Sequence, residues 1–251
     1  MKAEPWPYPL WIAHRGAGKL APENTLAAFR LGSQHGYRAF ECDVKLSADG
    51  VPFLLHDDTL ERTSSGRGDA GTQAWAALSQ LDAGGWHSAP FAGEPLPSFA
   101  AIAAFCLRNG HALNIEIKPS PGRERETGES VSRAAARLWS GRPVQPLLSS
   151  FKPESLDGAM AAAPQLPRAL LLDELWSGWF ERAQSLACVA VVANHRLFDL
   201  ALVERLHGAG LRALAYTVND DAVAQRLLGF GLDGLITDAV DRFTPAPILH
   251  A

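Results

Sequence analysis

Residues able to act as acids, bases and cations recur at a few short stretches of this 251-residue chain. His14-Arg15-Gly16 closes one apolar run, Glu41 and Asp43 lie two apart in another, and His56-Asp57 closes a third. Further on come Glu116 and Lys118, again two apart, then Thr217 and Asn219, and finally Thr237-Asp238. Residues two apart in a strand project to the same face, so Glu41 goes with Asp43 and Glu116 with Lys118. Three carboxylates gathered in one place repel one another unless a cation holds them. Carboxylate oxygens completed by water suit Mg²⁺ or Ca²⁺ and not zinc. Two histidines beside them suit proton transfer near neutral pH. Arg15 and Lys118 add a planar fork and a point charge, which with a divalent ion describe a pocket for a phosphate. The competing reading places these charges on an outward, solvated face. Their neighbours Phe40, Cys42, Val44, Ile115 and Ile117 are apolar and would then have to point inward. Periodicity alone does not choose between the faces; the convergence of three acidic positions with two histidine motifs favours the site.

Other catalytic patterns fail on inspection. Gly16-Ala17-Gly18-Lys19 is not a phosphate-binding P-loop, because Leu20 follows and the four-residue spacer is missing. Ser149-Ser150 has no nucleophile-elbow glycines, and no GxGxxG follows a strand. His35, His87, His111, His195, His207 and His250 fall mainly at helix ends, in loops or in the tail, and read as surface or structural residues.

The elements that must position these residues alternate regularly. Apolar runs at 10–14, 38–46, 112–118, 146–151, 169–172, 188–194, 212–218 and 233–237 read as strands. Amphipathic stretches between them read as helices. Asn24 or Thr25 is a plausible N-cap for a helix stopped at Gly36. Ser98 opens a helix that Asn109-Gly110 ends, and a Trp-rich helix spans 174–186. Mostly continuous apolar strands separated by helices imply a parallel sheet covered on both faces, and eight is the number that closes a barrel. One pair departs from the rhythm. The runs on either side of Ala48-Asp49-Gly50 are too close for a parallel crossover, so they form a hairpin that sets residue 46 near 51 and Glu41 near His56. Residues 58–96 are too long for a plain loop and read as an insertion with one short helix near 73–81, capping part of the barrel mouth. The whole chain, 1–251, reads as one such domain.

Bulk properties narrow the function classes. Hydrophobic residues make up 47% and charged residues 20%, ordinary for a protein with a full core. The net charge of −4 and the lack of a basic stripe argue against a nucleic-acid partner. Cys42, Cys106 and Cys188 are odd in number and form no CxxC pair, which fits a reducing compartment. The N-terminal stretch has no apolar signal-peptide core, and no run approaches the ~18 apolar residues that span a bilayer, so the expectation is a cytoplasmic protein without stable membrane insertion.

Read in order, a further set of motifs joins those above. They are Pro22-Glu23-Asn24-Thr25, Arg62-Thr63, Leu81-Asp82-Ala83-Gly84, Gly93-Glu94-x-Leu96-Pro97, Glu116-Ile117-Lys118, Thr217-Val218-Asn219 and Ile236-Thr237-Asp238. Together with His14-Arg15-Gly16, Glu41-x-Asp43 and His56-Asp57, they strongly resemble the glycerophosphodiester phosphodiesterases, from about residue 11 to 240. The resemblance implies a TIM-type (β/α)8 barrel with a small insertion after the hairpin strand. It implies hydrolysis of small glycerophosphodiesters to glycerol 3-phosphate and an alcohol such as choline or ethanolamine. It assigns Glu41, Asp43 and Glu116 to one divalent cation, Mg²⁺ or Ca²⁺. His14 and His56 become general base and acid, without saying which is which. Arg15 and Lys118 take the phosphate, Tyr216 and Asn219 face the substrate, and Glu23, Asn24, Asp57 and Asp238 support the site. Tyr216 stands where many members carry Trp; both rings can pack on glycerol, so altered affinity is expected and not lost activity. The nucleophile is either water or the glycerol 2-hydroxyl. Two alternatives compete: a relative acting on intact phospholipids, for which Trp75 and Trp86 would be the lipid contacts, and an inactive barrel kept as a binding module. Vesicle co-sedimentation separates the first, and loss of part of the His, Glu and Asp set would mark the second. Trp176, Trp179 and Phe180 belong either to the core or to a homodimer contact.

Overall fold

The computed structural model describes residues 6–243 and 245; His250 lies outside them. Eight parallel strands form the barrel: β1 (Trp11–Ala13), β2 (Ala39–Leu46), β4 (Ala112–Ile117), β5 (Leu147–Ser150), β6 (Arg168–Leu172), β7 (Ala190–Asn194), β8 (Arg212–Tyr216) and β9 (Gly234–Thr237). They pair in the order β1-β9-β8-β7-β6-β5-β4-β2, and β1 pairs with β2 to close the ring. The helices are α1 (Leu26–Gln34), α2 (Trp75–Leu78), α3 (Phe99–Asn109), α4 (Glu124–Leu138), α5 (Pro153–Ala162), α6 (Trp179–Ser185), α7 (Leu200–Gly208) and α8 (Asp221–Phe230). The expected TIM-type barrel is therefore present.

Strand β3 (Pro52–Leu54) explains the hairpin. β2 is eight residues long and β1 only three, and their ladder touches β2 at Phe40. Beyond that point the edge of β2 would leave backbone groups unpaired in a buried strand, which is costly. β3 covers it in antiparallel register, with Leu46 opposite Pro52 and Val44 opposite Leu54. This register is one residue away from the expected one. Gly50 adopts a left-handed φ of 79°, so Ala48-Asp49-Gly50 forms a three-residue loop and Ser47 lies opposite Val51, their backbones bonded at 3.1 Å.

Two layers of core follow from the two periodicities. Phe40, Cys42, Val44, Ile115 and Ile117 point outward against α1, α3 and α4, packing with Phe29, Phe99, Ile102 and Cys106. Ile12, Ala39, Leu147, Ala169, Val192, Leu214 and Ile236 fill the barrel interior. The apolar neighbours of the acidic residues thus serve the helix layer, and Glu41, Asp43 and Glu116 are left to the inside.

The inserted segment builds a small core of its own from Phe53, Leu55, Leu60, Ala70, Leu78, Ala83 and Leu96. Its α2 is only four residues long, shorter than expected, and single 3₁₀ turns occur at Ala70–Thr72 and Ala89–Phe91. One helix end settles a choice the sequence left open, and another differs from the sequence expectation. Thr25, not Asn24, caps α1, accepting from the Ala28 N–H at 3.2 Å, because Asn24 adopts a φ of 60° and turns its amide to Asp43. The Trp-rich helix begins at Trp179 and not at 174, since Gly178 has a φ of 86°, outside the helical region. Trp179 is buried in the core, with the Arg205 guanidinium over its ring and over that of Phe180.

Candidate active site

In a barrel of parallel strands the chemistry gathers at the C-terminal strand ends. A cavity of 170 Å³ opens there, lined by His14, Arg15, Glu41, His56, Glu116, Lys118 and Tyr216, with Phe151, Leu171 and Ile236 as its apolar wall. A larger cavity of 670 Å³ lies at the opposite end, among Trp6, Tyr8, Arg168 and Arg212. Size does not make it the reactive site. Arg168 donates to the carbonyls of Leu186, Pro164 and Leu166, and Arg212 bonds Asp233, so these cations hold the bottom of the barrel together.

The loop after β1 brings the first catalytic candidates into place. Arg15 has a φ of 49° and Gly16 one of 100°. Such backbone strain in a non-glycine residue persists only where surrounding structure holds it. The holding bonds are His14 N–H to the Thr237 carbonyl at 3.0 Å and Asn24 N–H to the Arg15 carbonyl at 2.9 Å. His14 Nδ1 lies 2.6 Å from Asp238 Oδ1, and its Nε2 lies 3.8 Å from Glu41 Oε2. The second histidine repeats the arrangement, with His56 Nδ1 2.7 Å from Asp57 Oδ1. In each case a carboxylate holds one ring nitrogen and orients the ring, leaving Nε2 as the second proton-carrying atom.

Glu41, Asp43 and Glu116 each offer an oxygen within 4.8 Å of the others, and all three are buried. Glu41 Oε1 and Asp43 Oδ1 have no hydrogen-bond donor. Buried oxygens without partners are costly, and a bound cation satisfies them. The electrostatics agree. Burial and then the charge of Asp43 push the Glu41 carboxyl well above its usual range. The same causes raise Glu116 to about 7. Asp43 is held low despite burial, because Arg15 and Lys118 stand beside it. The all-oxygen donor set, with two unsatisfied members, fits a hard divalent ion.

Cations surround this cluster. Arg15 donates from its backbone N–H to Glu41 Oε2 at 3.1 Å and from Nη1 to Glu23 Oε1 at 2.8 Å; its Nε is 3.1 Å from Asp43 Oδ2. Lys118 Nζ donates to Glu116 Oε1 at 2.6 Å and lies 3.6 Å from Asp43 Oδ1. Asn24 buttresses Asp43 from both sides, donating to Oδ2 at 2.8 Å and accepting from the Asp43 N–H at 3.1 Å. Tyr216 donates its hydroxyl to the Leu172 carbonyl at 3.0 Å and sets its ring edge-on to Phe151.

Asn219 occupies a different position from the cavity lining. Its amide donates to Asp238 Oδ2 at 3.0 Å, and its carbonyl accepts the Asp238 N–H at 2.8 Å. It reaches His14 indirectly, through Asp238 on the ring and through Thr237, whose hydroxyl donates to the Asn219 carbonyl at 3.2 Å and whose own carbonyl accepts the His14 N–H. Glu23 also stands behind the front rank, bridging Arg15 and Arg62. Arg62 reaches from the insertion to both Glu23 and Asp57, with Nη1 2.8 Å from Glu23 Oε2 and Nη2 2.9 Å from Asp57 Oδ1. Of the remaining described histidines, none lines the cavity.

Three contributors escaped the residue-by-residue reading. Arg62 stood out only within a family motif, since nothing local says that a loop arginine reaches two separate carboxylates. Phe151 directly follows β5, at the same end of the barrel as the charged residues, yet an apolar side chain carries no such signal. Lys45 continues the spacing of Glu41 and Asp43 by two more residues; that period was readable, but its burial was not.

Comparison with known proteins agrees with this geometry. The model of the glycerophosphoryl diester phosphodiesterase family matches residues 14–242. A glycerophosphodiester phosphodiesterase of Caldanaerobacter subterraneus subsp. tengcongensis is 32% identical, with 91% of this chain and 93% of that one covered. A phosphodiesterase of Oleispira antarctica, solved in complex with the product sn-glycerol-3-phosphate, superposes with a TM-score of 0.86 at 35% identity, covering 92% of this chain and 93% of that one. A glycerophosphodiester phosphodiesterase of Agrobacterium tumefaciens gives 0.77 at 28%, covering 93% and 97%. The family match over residues 14–242 and the two relatives above 30% identity, each covered almost end to end, show that the chain belongs to the glycerophosphoryl diester phosphodiesterase family and is an enzyme of that class.

Proposed function

We propose that this enzyme hydrolyses small glycerophosphodiesters to glycerol 3-phosphate and an alcohol by proton transfer between His14 and His56. The observation that carries the reading is the convergence, at one 170 Å³ cavity, of a buried three-carboxylate cluster whose Glu41 and Glu116 line it, two carboxylate-anchored imidazoles and two cations. The product complex of the Oleispira antarctica relative supports glycerol 3-phosphate as the retained half. Glu41, Asp43 and Glu116 would hold Mg²⁺ or Ca²⁺, which when bound supplies charge stabilisation at the phosphoryl oxygens. Arg15 and Lys118 bind and orient the phosphate, a role suited to a fork and a point charge. Phe151, Leu171 and Tyr216 shield the glycerol arm from water. His14, inside the cavity against Asp238, takes the proton of the nucleophile, whether water or the glycerol 2-hydroxyl. His56 lies at the boundary with a neighbouring cavity, where the departing oxygen needs a proton, so it acts as the acid. Burial lowers the pKa of His56, which makes its protonated form a readier donor.

The test is glycerol 3-phosphate release from glycerophosphoethanolamine and glycerophosphocholine, with EDTA and after restoring Mg²⁺ or Ca²⁺. Turnover abolished by EDTA and rescued by one metal supports the reading. No turnover with either metal, on folded protein, overturns it. No helix of the described residues is long and apolar enough to cross a membrane, and Trp75 packs on Phe53 inside the insertion core, which favours the small substrate over a bilayer lipid.

A further inference from the structure

A second cavity, of 330 Å³, adjoins the first at the barrel mouth, and His56, Glu116, Lys118 and Phe151 line both. A phosphodiester held at this shared wall has one ester arm in each cavity. The first is the smaller, and its apolar wall of Leu171 and Ile236 suits a three-carbon arm. The leaving alcohol then occupies the second.

The chemistry of that second cavity is charged and nearly devoid of aromatic surface. Lys45 is buried in β2, and its Nζ lies 2.7 Å from Asp58 Oδ1. The Asp58 side chain remains 55% exposed, so it has capacity for a second cation. Lys152 is exposed at the rim and makes no salt bridge among the described residues. Phe151 is the aromatic ring of the lining, and Lys118 Nζ already stands 5.5 Å from its centroid. Quaternary ammonium groups are recognised by aromatic faces, often several together, and this cavity has one face with a cation over it. Lysine and aspartate together suit an alcohol that carries both a carboxylate and a primary ammonium.

We propose that the cavity around Lys45, Asp58 and Lys152 receives the leaving alcohol and selects amino-acid-type alcohols, the carboxylate on Lys152 and the ammonium on Asp58, over quaternary ammonium alcohols. This rests on the phosphodiesterase reading above and names the substrate class of the same site. Lys152 lies outside the catalytic machinery, so it can be changed without touching the reacting groups.

The experiment measures kcat and KM of the metal-loaded enzyme on glycerophosphoserine, glycerophosphocholine and glycerophosphoethanolamine, for the wild type, Lys152→Glu and Lys152→Arg. The wild type is expected to favour the serine ester over the choline ester by about tenfold in kcat/KM, the scale of one charge-assisted hydrogen bond. Lys152→Glu should remove that preference through KM on the serine ester alone, and Lys152→Arg should retain it. A wild-type preference for choline, or an equal change on all three esters in Lys152→Glu, overturns the headgroup assignment while leaving the reaction standing. Turnover of none of the three overturns both.

Discussion

Asp238 and Asp57 each hold one imidazole, and the two carboxyls are held low for different reasons. The Arg62 guanidinium, followed by His56, draws Asp57 down to about 2. Asp238 reaches about 2 against the pull of burial, through its bonds to His14 and Asn219. A carboxyl whose folded value is depressed stabilises the fold above its unfolded value and loses that contribution as pH falls through the folded one. For Asp238 the contribution is complete above pH about 4, is lost towards pH about 2, and amounts to about 2 kcal/mol at neutral pH. Asp238→Asn should therefore lower stability in urea at pH 7 by about that amount, and the gap to wild type should close between pH 4 and 2. Equal gaps at pH 7 and pH 2 would refute the linkage. The role of His56 has its own test. His56→Asn should lose about 10²–10⁴ in kcat on an alkyl headgroup, as expected when a general acid is removed. On a glycerophosphodiester with p-nitrophenol as leaving group, which departs without a proton, the loss should be tenfold smaller or less. Equal losses on both substrates would assign the acid elsewhere.

Elements set these residues through close backbone approach. Gly18 has a φ of 56°, and a Cβ built on it would overlap the backbone of Asp238. The Lys19 N–H also donates to the Asp238 carbonyl at 3.3 Å, so the loop after β1 and the end of β9 lock together. Gly18→Ala should push Asp238 off His14, with about 2–4 kcal/mol of unfolding free energy lost in a denaturant titration and kcat reduced more than tenfold. Unchanged kcat in a folded variant would show that the lock is not needed. The strand β2 places three charged side chains, Glu41, Asp43 and Lys45, on one face because it outruns β1 and is covered by β3 at the far end. Alternation across a strand was legible in the chain from Glu41 and Asp43 onward. The one-residue register of the hairpin was not, since it depends on whether Gly50 closes a two- or three-residue loop, and both lengths are compatible with the same residues.

Over the whole molecule, the acidic cluster and the core make independent predictions. Three buried carboxylates without a cation oppose folding, so Mg²⁺ or Ca²⁺ at about 100 times its Kd should stabilise by about 2.7 kcal/mol. For a chain of this size that raises Tm by about 5–10 °C in differential scanning, and EDTA should reverse it. Glu41→Gln/Glu116→Gln should abolish the metal-dependent rise; a rise that persists would place the ion elsewhere. Cys42, Cys106 and Cys188 are buried, and burial pushes the latter two up to about 12. A thiol reagent at pH 8 should therefore modify none of them in the native protein and all of them in denaturant. Strand–helix alternation, the hairpin and the positions of the acids, bases and cations were determined by the sequence alone, because period, turn residues and charge are local properties. Which face of β2 and β4 turns inward was decided only by the closed barrel. All eight residues of β2 are buried, so both faces look alike until the outer layer of helices claims the apolar set. The bridging of Glu23 and Asp57 by Arg62, the withdrawal of Asn219 behind Asp238 and the burial of Lys45 were likewise tertiary outcomes. Each depends on distances between segments far apart in the chain, and those distances exist only once the ring of strands has closed.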